Sequence, residues 1–480
     1  MNKLIKAALL IISLLLVAGV LGVSLLPAAV EALPGQVRGR LPTVFLRAVT
    51  TPLPSALPPP AHTPADDEVT ISDLIPPTVP VTAISQSRSE RNNEISATTP
   101  AADEASIADL IPPTVAVTAI SQSRSERNNE ISAAAPAADE ASIADLVPPT
   151  VAVTAISQSP SERNLEILAT PTSTRHPPLA ANFKIDGLEI VPQKLNNCGP
   201  ATLSINLNYY GLNQTQLDVA GVVKPHYDDR NVSPEELVAY TNERTTLQAA
   251  LFRGGDLDLL QRLIAAGFPV VIEKGYEPDE WQGWMGHYLT LYGYDQRANT
   301  FDAMDTFLGP WDSSGRPVSY DEIEKGWQQF NYTFYIVYRP EQETALAEII
   351  GPIFDNEQLM WQQTLDKARS DLNEAPENAF AWFNLGSSLT RLGQLNDNQR
   401  FLNAAATSFD QARIIGLPPR MLWYQFEPYQ SYLAAGRVDE VLALTAVVLD
   451  NAGGRDVEET YLYRGHARLD QGDPDAARAD

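Results

Sequence analysis

From Phe183 onward the apolar positions follow two spacings, and the change between them divides this part of the chain. After Pro200, Leu203, Leu207 and Tyr210 recur at helical spacing, with Gly211 as a natural stop. Gln216 to Val222 predicts a second short helix. Ser233-Pro234-Glu235-Glu236 carries a serine cap, proline at the first helical position and glutamate at the third, which is a capping-box start. Leu247 to Phe252 reads as a strand, and Asp256 caps a helix through Ala266 that Gly267 ends. Pro269–Glu273, Tyr288–Tyr294 and Thr300–Met304 are further strands. A helix around Tyr320–Phe330 precedes a strand at Phe334–Tyr338. Helices come first and a mainly antiparallel sheet follows, an α+β layout spanning 183–351.

From Asn356 the strand pattern vanishes and the text is helical. Three units align on Gly393, Gly436 and Gly472, each glycine standing between two helical stretches. The series resembles tetratricopeptide repeats, whose paired helices stack into a solenoid. The first unit carries an insertion near Leu395 to Arg400, and the second lacks the usual glycine at Tyr429. The resemblance implies an all-α repeat domain over 352–480 that binds a protein or peptide partner.

Ahead of these domains the pattern is different again. Lys3 and Lys6 precede an almost unbroken apolar run from Ala7 to Leu26. That length fits an uncleaved membrane anchor over 1–32 better than a signal core of about 7–15 residues. The bulk of the chain is then expected outside the cytoplasm, with secretion as the alternative. Residues 33–182 are rich in Pro, Ser, Thr and Ala, and Asp-Leu-Ile-Pro-Pro-Thr at Asp73 returns at Asp109 and, with valine, at Asp145. The period is constant (109 − 73 = 145 − 109 = 36). Each unit has one short apolar cluster, a Pro-Pro break and no aromatic residue, too little apolar area to offset ordering entropy. A disordered stalk is expected, with a repeated partner-binding motif as the minor alternative.

Composition adds exclusions. A net charge of −26 argues against nucleic acid or an anionic membrane surface as partner. A single cysteine in 480 residues excludes an intramolecular disulfide framework and a cysteine-based metal site. No metal or organic cofactor is implied.

That cysteine, Cys198 in Asn197-Cys198-Gly199-Pro200-Ala201-Thr202, stands where a helix begins. Unpaired N–H groups and the macrodipole there favour an anion, the form in which sulfur is a nucleophile. The bland reading is a small buried hydrophobe. A nucleophile needs a base, and of five histidines only His226 and His287 lie in the same domain. His287 opens a predicted strand and is the better mounted. Its imidazole needs an orienting acceptor, for which Asp295, Asp302 and Asp305 are candidates. If the flanking strands form a hairpin turning near Gln296 or Arg297, Asp305 falls opposite or diagonal to His287, provided no bulge shifts the register. Asp302 then points away and Asp295 lies at the turn. Gln193 offers a side-chain amide as oxyanion donor beside the Cys198 N–H. Trp281 and Trp284 would line a substrate groove or pack back on the sheet.

Gln193-Lys194-Leu195-Asn196-Asn197-Cys198-Gly199-Pro200-Ala201-Thr202, Gly286-His287-Tyr288, Gly293-Tyr294-Asp295 and Asp305 together resemble the papain-like family of bacteriocin-processing (double-glycine leader) cysteine peptidases, and most nearly its stand-alone bacterial members. The resemblance covers roughly 188–351 and implies Cys198 as nucleophile, His287 as base, Asp305 as its orienter and Gln193 as oxyanion donor. The family commonly has Asp-Pro at the third position, whereas Thr306 follows Asp305 here. The implied activity is a membrane-tethered thiol hydrolase acting on peptide or amide bonds. An inactive peptidase-like scaffold acting through its helical repeats, and an acyl transferase using the same triad, are the rival readings.

Overall fold

The computed structural model describes residues 56–61, 178–224, 226–277 and 283–480. The predicted anchor, the three repeats and Trp281 lie outside the described residues. Among the described residues no helix is long and apolar enough to cross a membrane.

In chain order the α+β domain runs β1 (Asn182–Lys184), α1 (Cys198–Tyr209), α2 (Gln216–Val223), α3 (Pro234–Arg244), β2 (Gln248–Phe252), α4 (Leu257–Ala265), β3 (Val270–Tyr276), β4 (Met285–Asp295), β5 (Thr300–Met304), β6 (Arg316–Ser319), α5 (Tyr320–Gln328), β7 (Phe334–Tyr338) and α6 (Glu343–Ile350). The predicted helices and strands form close to their expected limits. Ser233 and Glu236 make the reciprocal capping box at α3, and Asp256 caps α4. Two strands escape the pattern. β1 has only three residues, and β6 carries Pro317, which a sheet tolerates on an edge strand.

The strands form one sheet in the order β2-β7-β3-β4-β5-β6, with β1 added against β4 and every pairing antiparallel. β4 is the long central strand. It pairs with β3 over Met285–Leu291 and with β1 at its far end. α1 is buried along Gly199–Leu207, as expected of a helix whose faces are all packed. Asn206 ties it to the sheet, donating to Thr290 Oγ1 on β4 at 2.8 Å. Leu203, Leu207, Val219, Leu237 and Tyr240 pack with Val271, Tyr288, Tyr335 and Val337, and Cys198 borders this core.

The helical region continues with α7 (Glu357–Glu374), α8 (Ala379–Leu395), α9 (Gln399–Ile415), α10 (Glu427–Ala434), α11 (Val438–Asp450), α12 (Glu458–Asp470) and α13 (Pro474–Ala479). Gly436 and Gly472 stop α10 and α12 at φ 68° and 80°, in the left-handed region glycine enters without strain. Gly393 instead lies inside α8, where a Cβ would collide with Leu402. The region is joined to the α+β domain by polar and aromatic contacts. Gln328 donates to Asp371, Asn384 donates to the Gln328 carbonyl, and Gln425 to that of Gln329. Trp284 stacks on Phe330 and lies against Phe380 and Tyr424.

Candidate active site

The site is built where α1 begins. Cys198 is the first residue of α1, and no side chain caps the helix. Pro200 falls in the first turn, where its missing N–H costs nothing. Gly199 allows a close approach, since a Cβ there would stand 3.2 Å from Leu237 Cδ1 and 3.3 Å from the Tyr288 ring. The preceding turn is held from below by Lys224. Its buried ammonium donates to the Asn196 carbonyl, Asn197 Oδ1 and the Tyr227 carbonyl at 3.4, 3.4 and 3.0 Å. Burial pulls the Lys224 pKa down, while Asp229 and Cys198 are among the groups that oppose the fall. Sequence reading passed over this lysine because nothing in Val222-Val223-Lys224 marks it as facing inward.

His287 sits near the start of β4 and is 5% exposed; Asp305, just past the end of β5, is 1% exposed. His287 Nε2 lies 3.0 Å from Asp305 Oδ1. A carboxylate only accepts, so Nε2 carries the proton toward Asp305, and Cys198 is among the groups near enough to act on the imidazole's charge. The register that allows this contains the bulge the sequence reading assumed away. Asp295 pairs with Thr300, which turns the hairpin between Arg297 and Ala298. On that register alone Asp305 would stand opposite Thr290, on the face turned to α1. The extra residue at Tyr292 shifts the pairing, so that Thr290 meets Met304 and Asp305 falls beside Leu289, on the face of His287. Asp302 pairs instead with Lys184, at 3.7 Å, and Asp295 accepts from the turn N–H groups of Arg297 and Ala298. His226 is exposed and paired with Asp228.

Asp305 is held on both oxygens. Oδ1 also accepts from the Phe307 and Leu308 N–H groups at 3.0 and 2.9 Å, and Oδ2 accepts from Arg316 Nη2 at 3.2 Å. Arg316, on an edge strand the pattern did not reveal, was missed by sequence reading. Burial alone would raise the Asp305 pKa, but His287, the backbone donors and Arg316 together hold it well below the usual carboxylate range. The opposite holds for His287. Burial pulls its pKa down, yet the charge and hydrogen bond of Asp305, with Cys198, lift it from 6.5 to about 9. The imidazolium is therefore the favoured form at neutral pH.

Gln193 is fixed against the same loop. Its N–H donates to the Thr306 carbonyl at 2.8 Å, and its side-chain Oε1 accepts from the Thr306 hydroxyl at 2.9 Å. With the oxygen engaged, the amide nitrogen is the end left to donate. Trp284 is 7% exposed and its Nε1 donates to Gln329 Oε1 at 2.5 Å. Its ring is enclosed by aromatic neighbours, so packing, not an open groove, accounts for its position. Among the described residues no group of three or more His, Cys, Asp or Glu is placed to hold a metal ion.

Residues 184–335 match the Peptidase C39-like family. This C39-like stretch contains Cys198, His287, Asp305 and Gln193 and is about a third of the chain. Among solved structures, a C39-like peptidase from Bacillus anthracis is 17% identical, with 33% of this chain and 98% of that chain covered at a TM-score of 0.28. The peptidase domain of Streptococcus ComA, a bi-functional ABC transporter involved in quorum sensing, is also 17% identical, covering 32% and 99% at a TM-score of 0.25. No curated protein matches the chain.

Proposed function

We propose that the C39-like domain is a working cysteine peptidase, with Cys198 as nucleophile, His287 as acid and base, Asp305 as its orienting carboxylate and Gln193 as oxyanion donor. The observation that carries this reading is an imidazole paired with a buried, fourfold-bonded carboxylate, with the chain's only thiol among the groups that raise its pKa. The thiolate attacks a peptide or amide carbonyl, and the Gln193 amide and the Cys198 N–H bind the developing oxyanion. The His287 imidazolium then protonates the leaving amine, and the neutral ring activates water to hydrolyse the acyl-enzyme. In the same reading 1–32 anchors the chain with its domains outside the cytoplasm. The paired helices of 352–480 act as tetratricopeptide-type repeats that engage a protein partner.

Alkylation of Cys198 by iodoacetamide tests the core of this reading without a known substrate. At pH 7 the wild-type thiol should react at least about tenfold faster than in His287→Ala, because the mutant lacks the cation that stabilises thiolate. Equal rates in the two proteins would favour the inactive scaffold.

Thr306 also gains a role in this reading. Thr306→Val keeps the shape but frees the Gln193 amide to rotate. It should lower kcat by about 10- to 100-fold, short of full loss of an oxyanion donor, with KM little changed. Thr306→Ser should restore most of the rate. A Thr306→Val enzyme with wild-type kcat would remove Gln193 from the oxyanion site.

A further inference from the structure

One short piece of the proline-rich N-terminal sequence, residues 56–61, is seated on the helical region. Leu57 is buried, and its N–H donates to the Leu417 carbonyl at 2.8 Å. The Pro58 and Pro59 carbonyls accept from Arg413 Nε and Nη2 at 3.0 and 3.2 Å. The Ala61 N–H donates to Glu440 Oε1 at 2.8 Å. The receiving groups are built into the helices. The Arg413 and Glu440 side chains are 2% and 3% exposed and paired with one another at 2.7 Å, and Arg413 also donates to Tyr432. Among the described residues, two donors of a buried guanidinium therefore find their acceptors on the seated segment. Proline carbonyls suit that purpose, because an extended proline segment makes no internal hydrogen bonds and leaves its carbonyls free.

The seat reads five consecutive positions. Its contacts take an apolar residue with an N–H, two carbonyls of the kind an extended Pro-Pro leaves free, a spacer, and a fifth residue with an N–H. Leu57-Pro58-Pro59-Pro60-Ala61 meets these requirements, and so do three other stretches of the stalk. They are Ile75-Pro76-Pro77-Thr78-Val79, Ile111-Pro112-Pro113-Thr114-Val115 and Val147-Pro148-Pro149-Thr150-Val151. His176-Pro177-Pro178, with a polar residue in first place, does not.

We propose that the α9–α11 seat is a recognition site for extended apolar-Pro-Pro segments, and that the three repeat motifs are alternative occupants that exchange with Leu57–Ala61. The repeats then have a reason to be copies of one another. Moving the occupied motif from Ile75 to Ile111, or from Ile111 to Val147, transfers 36 residues of chain from one side of the seat to the other. At about 3.3 Å per extended residue this changes the reach of the N-terminal tether by up to roughly 120 Å. The helical region would act as a clamp on its own stalk, independently of whether the peptidase is active.

Two fluorescein-labelled peptides serve as probes, one with the sequence of residues 55–62 and one with that of 73–80. They are titrated against the full chain and against a full chain with Leu57→Asp, Ile75→Asp, Ile111→Asp and Val147→Asp, which disables every internal copy. The disabled chain should bind both peptides at least tenfold more tightly than the wild type, whose own copies compete. Restoring only Ile111 should return binding to the weak wild-type level. Alanine in place of the two motif prolines (Pro58 and Pro59 in one peptide, Pro76 and Pro77 in the other) should weaken binding at least tenfold, a control that needs no change in the protein. If the disabled chain keeps its melting temperature and binds neither peptide, or binds the alanine peptides equally well, the proposal is overturned. Binding of the 55–62 peptide without the 73–80 peptide would overturn the exchange.

Discussion

Asp305→Asn should lower kcat/KM by about 10²–10⁴-fold and move the alkaline limb of its pH profile from about 9 to below the ordinary histidine value of 6.5. Two opposing effects fix the direction. Burial depresses the His287 pKa, and the Asp305 charge with its hydrogen bond reverses that. Asparagine removes the charge and leaves the burial, so the imidazolium is held less tightly than in water. In the proposed mechanism the acid that protonates the leaving amine is then absent at neutral pH. The asparagine amide can also present its NH2 to Nε2, which selects the wrong tautomer. Titration of the imidazole itself, by NMR with ¹³C-labelled histidine, reads the same shift without a substrate. A wild-type value near 6.5, or no change in the mutant, would sink the assignment. The pairing also ties stability to pH. The His287 contribution is fully present below about 6.5 and is lost as pH rises through about 9. The Asp305 contribution is present above its ordinary value of 3.8 and is lost only as pH falls through its depressed one.

Much of this site was legible because its parts are local. A cysteine before Gly-Pro at the head of an apolar helical stretch places the sulfur, and a histidine at the head of a long strand places the ring. Asp305 was reached through two offsetting departures. The hairpin turns later than assumed, and the bulge at Tyr292 restores the shared face. Neither shows in residue spacing, since a bulge changes pairing and leaves the alternation of the text intact. What sequence reading missed arrives from far along the chain. Arg316 comes from an edge strand interrupted by proline, and Lys224 turns inward from the end of α2. Tyr424 packs from the helical region against Gly286, where a Cβ would stand 3.0 Å from its ring and 2.8 Å from that of Phe330. Periodicity reports which face of an element is apolar and says nothing of what comes to cover it. The alignment of three helical units on glycine shows the same limit. Gly436 and Gly472 do the work of stops, while Gly393 is buried inside a helix as a contact.

Trp284→Ala should destabilise the folded chain by about 3–5 kcal/mol, because the indole is enclosed on several sides and the cavity left behind cannot collapse fully. Its ring lies 5.6 Å from Phe330 at an interplanar angle of 10°, 6.4 Å from Phe380 and 5.9 Å edge-on to Tyr424. All four rings lose a partner if the helical region separates, since Phe380 and Tyr424 belong to it and Tyr424 also packs against Phe330. The loss should therefore appear in both parts at once, as one unfolding transition shifted down by roughly 10 °C. Trp284→Phe separates the contributions. It keeps an aromatic face against Phe330 and gives up the Nε1 donor, leaving Gln329 Oε1 short of a partner at a cost of about 1–3 kcal/mol. If Trp284 lined an open groove, the alanine variant would keep its melting temperature and lose substrate affinity. A stability loss with KM unchanged well below the transition assigns the residue to the seam. The same seam holds the strand that begins at Met285, two residues ahead of His287, so the helical region helps set the position of the imidazole.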